Sequence, residues 1–215
     1  MKKIIHNKFD KSLIPSLPRV VFEGEIVVVK SELEAERAVD YLLHQKILGV
    51  DTETRPSFQK GIVHQVSLLQ VSDEHRCFLF RLNMLGMPPT IIRLLEDRQV
   101  PKIGLSLHDD LMMLHKRADF EPGYFIDLQK QVNELGIEDL SLQKLYANLF
   151  GMRISKRDRL SNWEKDELTY RQQNYAAIDA WACLRIYQEL LRLKASGDYE
   201  LVVTQEDTET PAAHG

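Results

Sequence analysis

The chain has 215 residues, of which 44% are apolar and 28% charged, and its formal net charge is -4. This composition is ordinary for a globular protein and allows a sizeable hydrophobic core. The negative net charge argues against a simple basic coat on nucleic acid, unless the acidic residues gather at one site that binds cations.

The N-terminal segment MKKIIHNKFDKSL has the basic residues of a signal peptide, but Asn7, Lys8 and Asp10 interrupt it before an apolar region forms. No apolar run of about 18 residues follows, so we expect a soluble, cytoplasmic protein without membrane association. Cys77 and Cys183 lack the spacing of a metal or redox motif, which predicts buried thiols and no disulfide. Nothing in the sequence fixes an oligomeric state.

The sequence predicts an N-terminal extension over residues 1–22 and one domain over residues 23–200. In RVVFEGEIVVVK, β-branched residues on either side of Gly24 predict a hairpin. The next segment, SELEAERAVDYLLHQ, has Ser31 followed by Glu34 three residues later, which is the pattern of a capping box. It predicts the first helix.

Strand and helix patterns then follow in an order that defines the fold class. Three short apolar runs predict an antiparallel meander, namely ILGVD, HQVSLLQVS and CFLFRL. Helices and strands alternate after them, in PPTIIRLLEDRQ, KIGLSL, DDLMMLHKR, YFIDL and DLSLQKLYANLFG. A long helix is predicted from about Glu167 to Ala195, ending near Gly197. This order predicts an α/β fold with a mixed β-sheet flanked by α-helices.

The tetrapeptide DTET occurs twice, beginning at Asp51 and at Asp207. The first copy follows a buried strand, and alternate strand residues share a face, so Asp51 and Glu53 should lie on one side of the strand end. That pair suits divalent cations, although a solvated loop is the alternative that so short a motif leaves open. The second copy lies in residues 201–215, where nothing after Val203 is apolar and larger than alanine, which predicts a disordered tail.

Two further segments contain acidic residues at informative positions. In KIGLSLHDDLMML, Asp109 and Asp110 follow a strand at a helix start, where one acid could cap the helix and the other face a cleft. In NYAAIDAWACLRIY, Tyr175 and Asp179 share a helical face with apolar residues. Burying an aspartate in such a stripe is costly unless it is paired or binds a metal, so Asp179 is the strongest single indication of a metal site. Tyr175 alone could equally be a core aromatic.

Together, GVDTE, IGLSLHDDLMML and YAAIDA resemble the three motifs of the DnaQ-like 3′-5′ exonuclease superfamily. The Y-x-x-x-D form of the third segment resembles the DEDDy branch, which includes ribonuclease D and Werner-type exonuclease domains. The resemblance covers roughly Val27 to Leu193 and implies a ribonuclease H-like fold. It also implies hydrolysis of phosphodiester bonds at nucleic-acid 3′ ends, with release of nucleoside 5′-monophosphates.

The resemblance further implies a role for each motif residue. Two divalent cations, Mg²⁺ or Mn²⁺, would be held by the carboxylates of Asp51, Glu53, Asp110 and Asp179. The hydroxyl of Tyr175 would position the attacking water. Asp110 is preferred to its neighbour Asp109 because Asp110 and Leu114 fit the D-x-x-x-L pattern of the second motif.

The segment GMRISKRDRLSNWEKDEL matches a lysine followed by Ser-x-Trp that precedes the third motif in this superfamily. The resemblance implies contacts to nucleic acid from Lys156, Arg157, Ser161 and Trp163, since basic residues here could meet phosphates. The alternatives are a solvated basic face and a tryptophan that packs in the core.

Two other functions stay open at this point. One is a nucleic-acid-binding scaffold of the same fold without catalytic activity, which the full acidic set makes less favourable. The other is an enzyme that processes RNA 3′ ends rather than DNA, because the sequence shows no recognisable contact to a 2′-hydroxyl.

Overall fold

The strand and helix patterns form a six-stranded mixed sheet between two layers of helices, in a computed structural model that describes residues 2–204. The strands are β1 Lys3–His6, β2 Glu25–Val29, β3 Leu48–Thr54, β4 Val66–Ser72, β5 Arg76–Phe80, β6 Lys102–Gly104, β7 Phe125–Asp127 and β8 Tyr199–Val202. The helices are α1 Glu32–Leu42, α2 Leu82–Leu85, α3 Pro89–Glu96, α4 Leu107–His115, α5 Leu128–Asn133, α6 Leu142–Phe150 and α7 Tyr170–Ser196. A 3₁₀ helix covers Lys11–Ser16.

The strand order of the main sheet is β2-β5-β4-β3-β6-β7. Strands β3, β4 and β5 form the antiparallel meander, while β2 at one side and β6 and β7 at the other pair in parallel. The predicted α/β fold with a mixed sheet flanked by helices is therefore confirmed. Among the helices of residues 2–204, none combines the length and apolar character needed to cross a membrane.

Two helices begin with the side-chain caps that their sequences indicate. At the start of α1, the Ser31 hydroxyl accepts from the Glu34 N–H, and the Glu34 carboxylate accepts from the Ser31 N–H at 2.9 Å. Helix α7 has the same arrangement at Thr169 and Gln172, and it ends before Gly197, which has a φ of 66°. These caps satisfy backbone groups that a helix end leaves unpaired.

The hairpin predicted around Gly24 is not formed. Only the second half of that segment, β2, is a strand, and it pairs in parallel with β5 instead of folding back on residues 19–23. Gly24 is required for close approach, because a Cβ there would lie 2.3 Å from the His75 carbonyl oxygen. Phe22 turns away into the core and meets Trp181 edge to face at 5.8 Å.

The two faces of the sheet bury separate hydrophobic clusters. One face packs against α7 with α5 and α6 around it, and the other packs against α1, α3 and α4. Helix α7 lies unusually close to β3, since a Cβ at Gly49 would be 2.0 Å from the Ala180 carbonyl oxygen. The small residues Ala176 and Ala177 on α7 are fully buried beside this contact.

The two ends of the described chain form a separate two-stranded sheet. Strand β1 pairs in parallel with β8, with Ile5 opposite Leu201, and Ile5 is fully buried in the cluster that includes α7. The limit predicted at residue 22 lies after β1, and the limit predicted at residue 200 lies within β8. The second DTET, Asp207–Thr210, lies outside the described residues.

We expect Gly49→Ala to destabilise the protein, because the new methyl group has no room between β3 and the backbone of α7. Overpacking of this kind costs about 1–3 kcal/mol. The melting temperature of the metal-free variant, followed by circular dichroism, should fall clearly below that of the wild type. An unchanged melting temperature would contradict the close approach of α7 to β3.

Candidate active site

Three acidic side chains converge where β3 meets α7. One carboxylate oxygen from each of Asp51, Glu53 and Asp179 lies within 4.8 Å of the others. Glu53 and Asp179 are buried, and Asp51 is half-buried. A cluster of carboxylate oxygens is the donor set that hard divalent cations prefer, so these residues fit a metal ion of that class.

Asp110 lies beside this cluster but does not belong to it. Its carboxylate accepts a hydrogen bond from the Thr52 hydroxyl, and its negative charge acts on Asp51. Asp110 is half-buried, whereas Asp109 is exposed. Of the two adjacent acids, Asp110 is therefore the one turned toward the site.

Neither acid caps α4, contrary to the alternative in the sequence. The helix begins two residues before Asp109, and the preceding residue Ser106 adopts a left-handed conformation with a φ of 61°. The carboxylate of Asp127 accepts the backbone N–H groups of Ser106 and Leu107 at 3.1 and 2.9 Å. Asp127 therefore stabilises the turn that sets the position of Asp110.

Burial, with like charges near some of the groups, raises the pKa values of the carboxyl groups at this site. Burial, with the charges of Asp110 and Asp179, raises the pKa of Asp51 well above its usual range. Burial and then the charge of Asp51 raise the pKa of Glu53 to about 10. Burial also raises the pKa of Asp179 to about 7, although a hydrogen bond from Tyr175 opposes it, and that of Asp110 to about 6. Without a cation, the cluster therefore favours bound protons.

Tyr175 lies in the wall of this site, and its hydroxyl hydrogen-bonds the Asp179 carboxylate. Burial, followed by the charges of Asp179 and Glu53, raises the pKa of the Tyr175 hydroxyl. Trp163 packs near the Tyr175 ring, with centroids 6.0 Å apart, and is fully buried. Trp163 thus has no surface for nucleic acid, and its role as a substrate contact is corrected to core packing behind Tyr175.

The remaining predicted nucleic-acid contacts occupy the loop between α6 and α7. Lys156 and Arg157 are exposed, and Ser161 is half-buried. The positive charge of Lys156 reaches Asp179, and that of Arg159 reaches Glu53. The loop therefore brings cationic groups to the edge of the acidic cluster.

Two residues of the site architecture were not predicted as such. Thr52 lies between the two motif acids, and its hydroxyl holds Asp110. Arg81 is fully buried, and its guanidinium donates to the backbone carbonyls of Lys165 and Asp166. Arg81 thereby anchors the loop that carries the cationic groups. An arginine directly after the apolar run CFLF was the available signal for it.

We expect the metal-free protein to lose stability as pH rises from about 4 to about 10, because carboxyl groups with raised folded pKa values bind their protons more tightly when folded. Asp179 contributes to this loss of stability between pH 3.8 and about 7, and Glu53 contributes between pH 4.5 and about 10. Thermal melts across this range check the trend. Glu53→Gln should flatten the slope, whereas an equal slope in the variant and the wild type would contradict the assignment.

Two similar proteins are much longer than the segment that this chain matches. Mouse bifunctional 3′-5′ exonuclease/ATP-dependent helicase WRN is 32% identical over 185 residues, which are 81% of this chain and 13% of that protein. Exonuclease 3′-5′ domain-containing protein 2 of Drosophila melanogaster is 36% identical over 152 residues, or 68% of this chain and 26% of that protein. The chain thus spans about a quarter or less of the length of these two relatives.

Solved structures share the fold. The EXO domain of Aedes aegypti Nibbler matches with a TM-score of 0.76 at 19% identity, covering 84% of this chain and 95% of that chain. Escherichia coli RNase D matches with a TM-score of 0.70 at 20% identity, covering 81% and 46%. A family model described as 3′-5′ exonuclease matches residues 26–194. Because that match covers most of the sequence, the chain belongs to the 3′-5′ exonuclease family.

Proposed function

We propose that this chain is a metal-dependent exonuclease of the DEDDy type, which hydrolyses the terminal phosphodiester bond at a nucleic-acid 3′ end and releases a nucleoside 5′-monophosphate. The observation that carries the proposal is the convergence of the Asp51, Glu53 and Asp179 carboxylates within 4.8 Å. With Asp110 beside them, these residues would hold two divalent cations, Mg²⁺ or Mn²⁺.

The chemistry divides between the cations and the protein. The carboxylates of Asp51, Glu53, Asp110 and Asp179 would hold the divalent cations, which would neutralise charge at the phosphate and at the departing oxygen. The raised pKa of Tyr175 keeps its hydroxyl protonated at neutral pH, so the hydroxyl can donate a hydrogen bond to Asp179 while its oxygen accepts a hydrogen bond from the attacking water. Tyr175 thereby orients the water toward phosphorus. The cationic groups of Lys156 and Arg159 lie where they can meet phosphate oxygens.

Two loops flank the site and support a single-stranded end as the substrate. The segment after β3 is joined to the α6–α7 loop by Glu164, which lies 3.0 Å from Arg55 and 3.2 Å from His64. Phe58 on the first loop is 84% exposed, and Leu160 on the second is 63% exposed. Exposed apolar side chains beside cationic groups suit unpaired bases, which can stack on an aromatic ring.

The next question is whether the substrate is DNA or RNA. A solved structure of Trypanosoma brucei RNase D, which is 19% identical to this chain, is a complex with RNA U12. An assay of this chain should therefore include an RNA substrate. A scaffold without catalysis is the alternative from a different class. The intact set of acidic residues favours the enzyme over that scaffold.

A degradation assay tests the proposed function directly. We expect 5′-labelled single-stranded DNA or RNA to shorten stepwise from the 3′ end in Mg²⁺ or Mn²⁺, to stop in excess chelator and to resume when metal is restored. Asp51→Asn should abolish the ladder, since it removes a central ligand. Asp207→Asn, the same change in the second DTET, is the matched control and should leave the ladder unchanged.

Each possible result of this assay leads to a different conclusion. Cleavage that continues in excess chelator contradicts the metal mechanism, and binding of the labelled strand without shortening indicates the scaffold. Parallel reactions with a recessed duplex, single-stranded DNA and RNA of one sequence identify the preferred polymer.

Tyr175→Phe should lower kcat by roughly 10- to 1000-fold, as expected for the loss of one positioning or electrostatic group. The fold and the metal affinity should persist, because Phe keeps the ring that packs near Trp163. Single-turnover kinetics with a melting curve and a metal titration check this outcome. An unchanged kcat in a folded variant would make Tyr175 a packing residue only.

Asp110→Asn and Asp109→Asn should differ sharply in the same kinetic assay. Asp110 contacts Thr52 and acts on Asp51, whereas Asp109 is exposed to solvent. We expect cleavage to be lost in the first variant and largely kept in the second. The reverse pattern would transfer the role in the second motif to Asp109.

A further inference from the structure

Gln70, in the middle of β4, is a buried amide without a partner. The residue is fully buried, and neither its Oε1 nor its Nε2 has a hydrogen-bond partner among residues 2–204. An unsatisfied buried polar group is unfavourable, so such groups are rare in native proteins. Such a group in the middle of a strand calls for a ligand, an ordered water or a functional partner.

The strand register places Gln70 directly opposite Asp51. The two residues are paired in the antiparallel ladder of β3 and β4. Directly opposed side chains project from the same face, with Cβ atoms about 4.5–5.5 Å apart. This is the face that packs on α7, because Leu68, two residues from Gln70, belongs to the cluster that contains the α7 side chains. The Gln70 amide is therefore buried in the same layer as the acidic cluster.

The Asp51 carboxylate can accept a further hydrogen bond, and the Gln70 amide can donate one. Its carboxylate accepts a hydrogen bond from the Thr52 backbone N–H and is one of the three clustered carboxylates. A carboxylate that binds a metal through one oxygen is commonly held by hydrogen bonds to its other oxygen. A primary amide has two N–H donors, and those of Gln70 are unused.

We propose that Gln70 is the positioning residue for the Asp51 carboxylate: when a divalent cation occupies the acidic cluster, the Gln70 side-chain N–H donates to Asp51, directly or through one buried water. This proposal rests on the metal site of the proposed function. The terminal torsion of glutamine is soft, so the amide can rotate toward Asp51 without leaving a rotamer well. A single buried water can bridge groups that are polar on both sides.

The neighbouring polar residue on the same strand and face supplies a contrast. Ser72 is also fully buried, but its hydroxyl lies 2.7 Å from the Asp73 carbonyl oxygen and 3.0 Å from that of Arg76. It is opposite Gly49, two pairs farther along the ladder than Asp51. The Ser72 hydroxyl thus has hydrogen-bond partners in the protein backbone, whereas the Gln70 amide gains a partner only if a group of the acidic site provides one.

Gln70→Met tests the proposal, because methionine keeps the length and unbranched shape of the side chain and removes the amide. Isothermal titration of the full chain with Mn²⁺ should show binding weakened by about 10- to 100-fold, as for other groups that hold a metal ligand in place. The melting temperature of the metal-free variant should stay equal or rise, because an unpaired buried amide is gone. Ser72→Ala is the matched control and should leave the Mn²⁺ affinity unchanged.

The outcomes separate this proposal from the proposed function. If the wild type binds no Mn²⁺, the metal site itself fails. If the wild type binds Mn²⁺ and Gln70→Met binds it equally well, the role of Gln70 is overturned.

A measurement on the wild type covers the case in which the variant does not fold. In a ¹⁵N-labelled sample, Mg²⁺ should shift the side-chain amide resonances of Gln70, because its N–H groups gain an ionised acceptor. Resonances that stay unmoved at saturating Mg²⁺ would overturn the proposal.

Discussion

Repulsion among the carboxylates of Asp51, Glu53 and Asp179 is the constraint on which the rest of the structure depends. Burial raises the pKa values of all three carboxyl groups, and the charges of neighbouring carboxylates raise those of Asp51 and Glu53 further, so the ionised cluster is unfavourable. The protein holds them together through rigid elements on either side, β3 and α7, in contact at Gly49 and Ala180. The same crowding that disfavours the metal-free charges makes the cluster a strong acceptor for divalent cations.

Local signals in the sequence predicted the elements well, and long-range pairing was the part that they could not supply. The capping box at Ser31 and the stop at Gly197 are written in adjacent residues, and both are formed. The hairpin at Gly24 was wrong because a turn-like triplet does not reveal that its glycine is required by the distant His75 carbonyl. The pairing of β1 with β8 joins residues nearly 200 positions apart, for which no local pattern exists.

For the site, too, local sequence signals predicted some residues, and long-range contacts decided the others. Asp51, Glu53 and Asp179 were predictable because carboxylates at a strand end and in an apolar helical stripe need a reason to be there. Trp163 was misassigned because the motif that contains it does not say which side chains face solvent. Thr52 and Gln70 were not singled out, since Thr and Gln in strands are unremarkable until the register places them beside Asp110 and Asp51.

Anomalous diffraction tests the two-cation site proposed at the acidic cluster most directly. Crystals grown with Mn²⁺ and a nucleoside 5′-monophosphate, measured near the manganese absorption edge, report each bound ion independently of activity. The account predicts two anomalous peaks about 4 Å apart, one within the cluster of Asp51, Glu53 and Asp179 and one shared by Asp51 and Asp110. Full Mn²⁺ occupancy elsewhere, with no peak at these carboxylates, would contradict it.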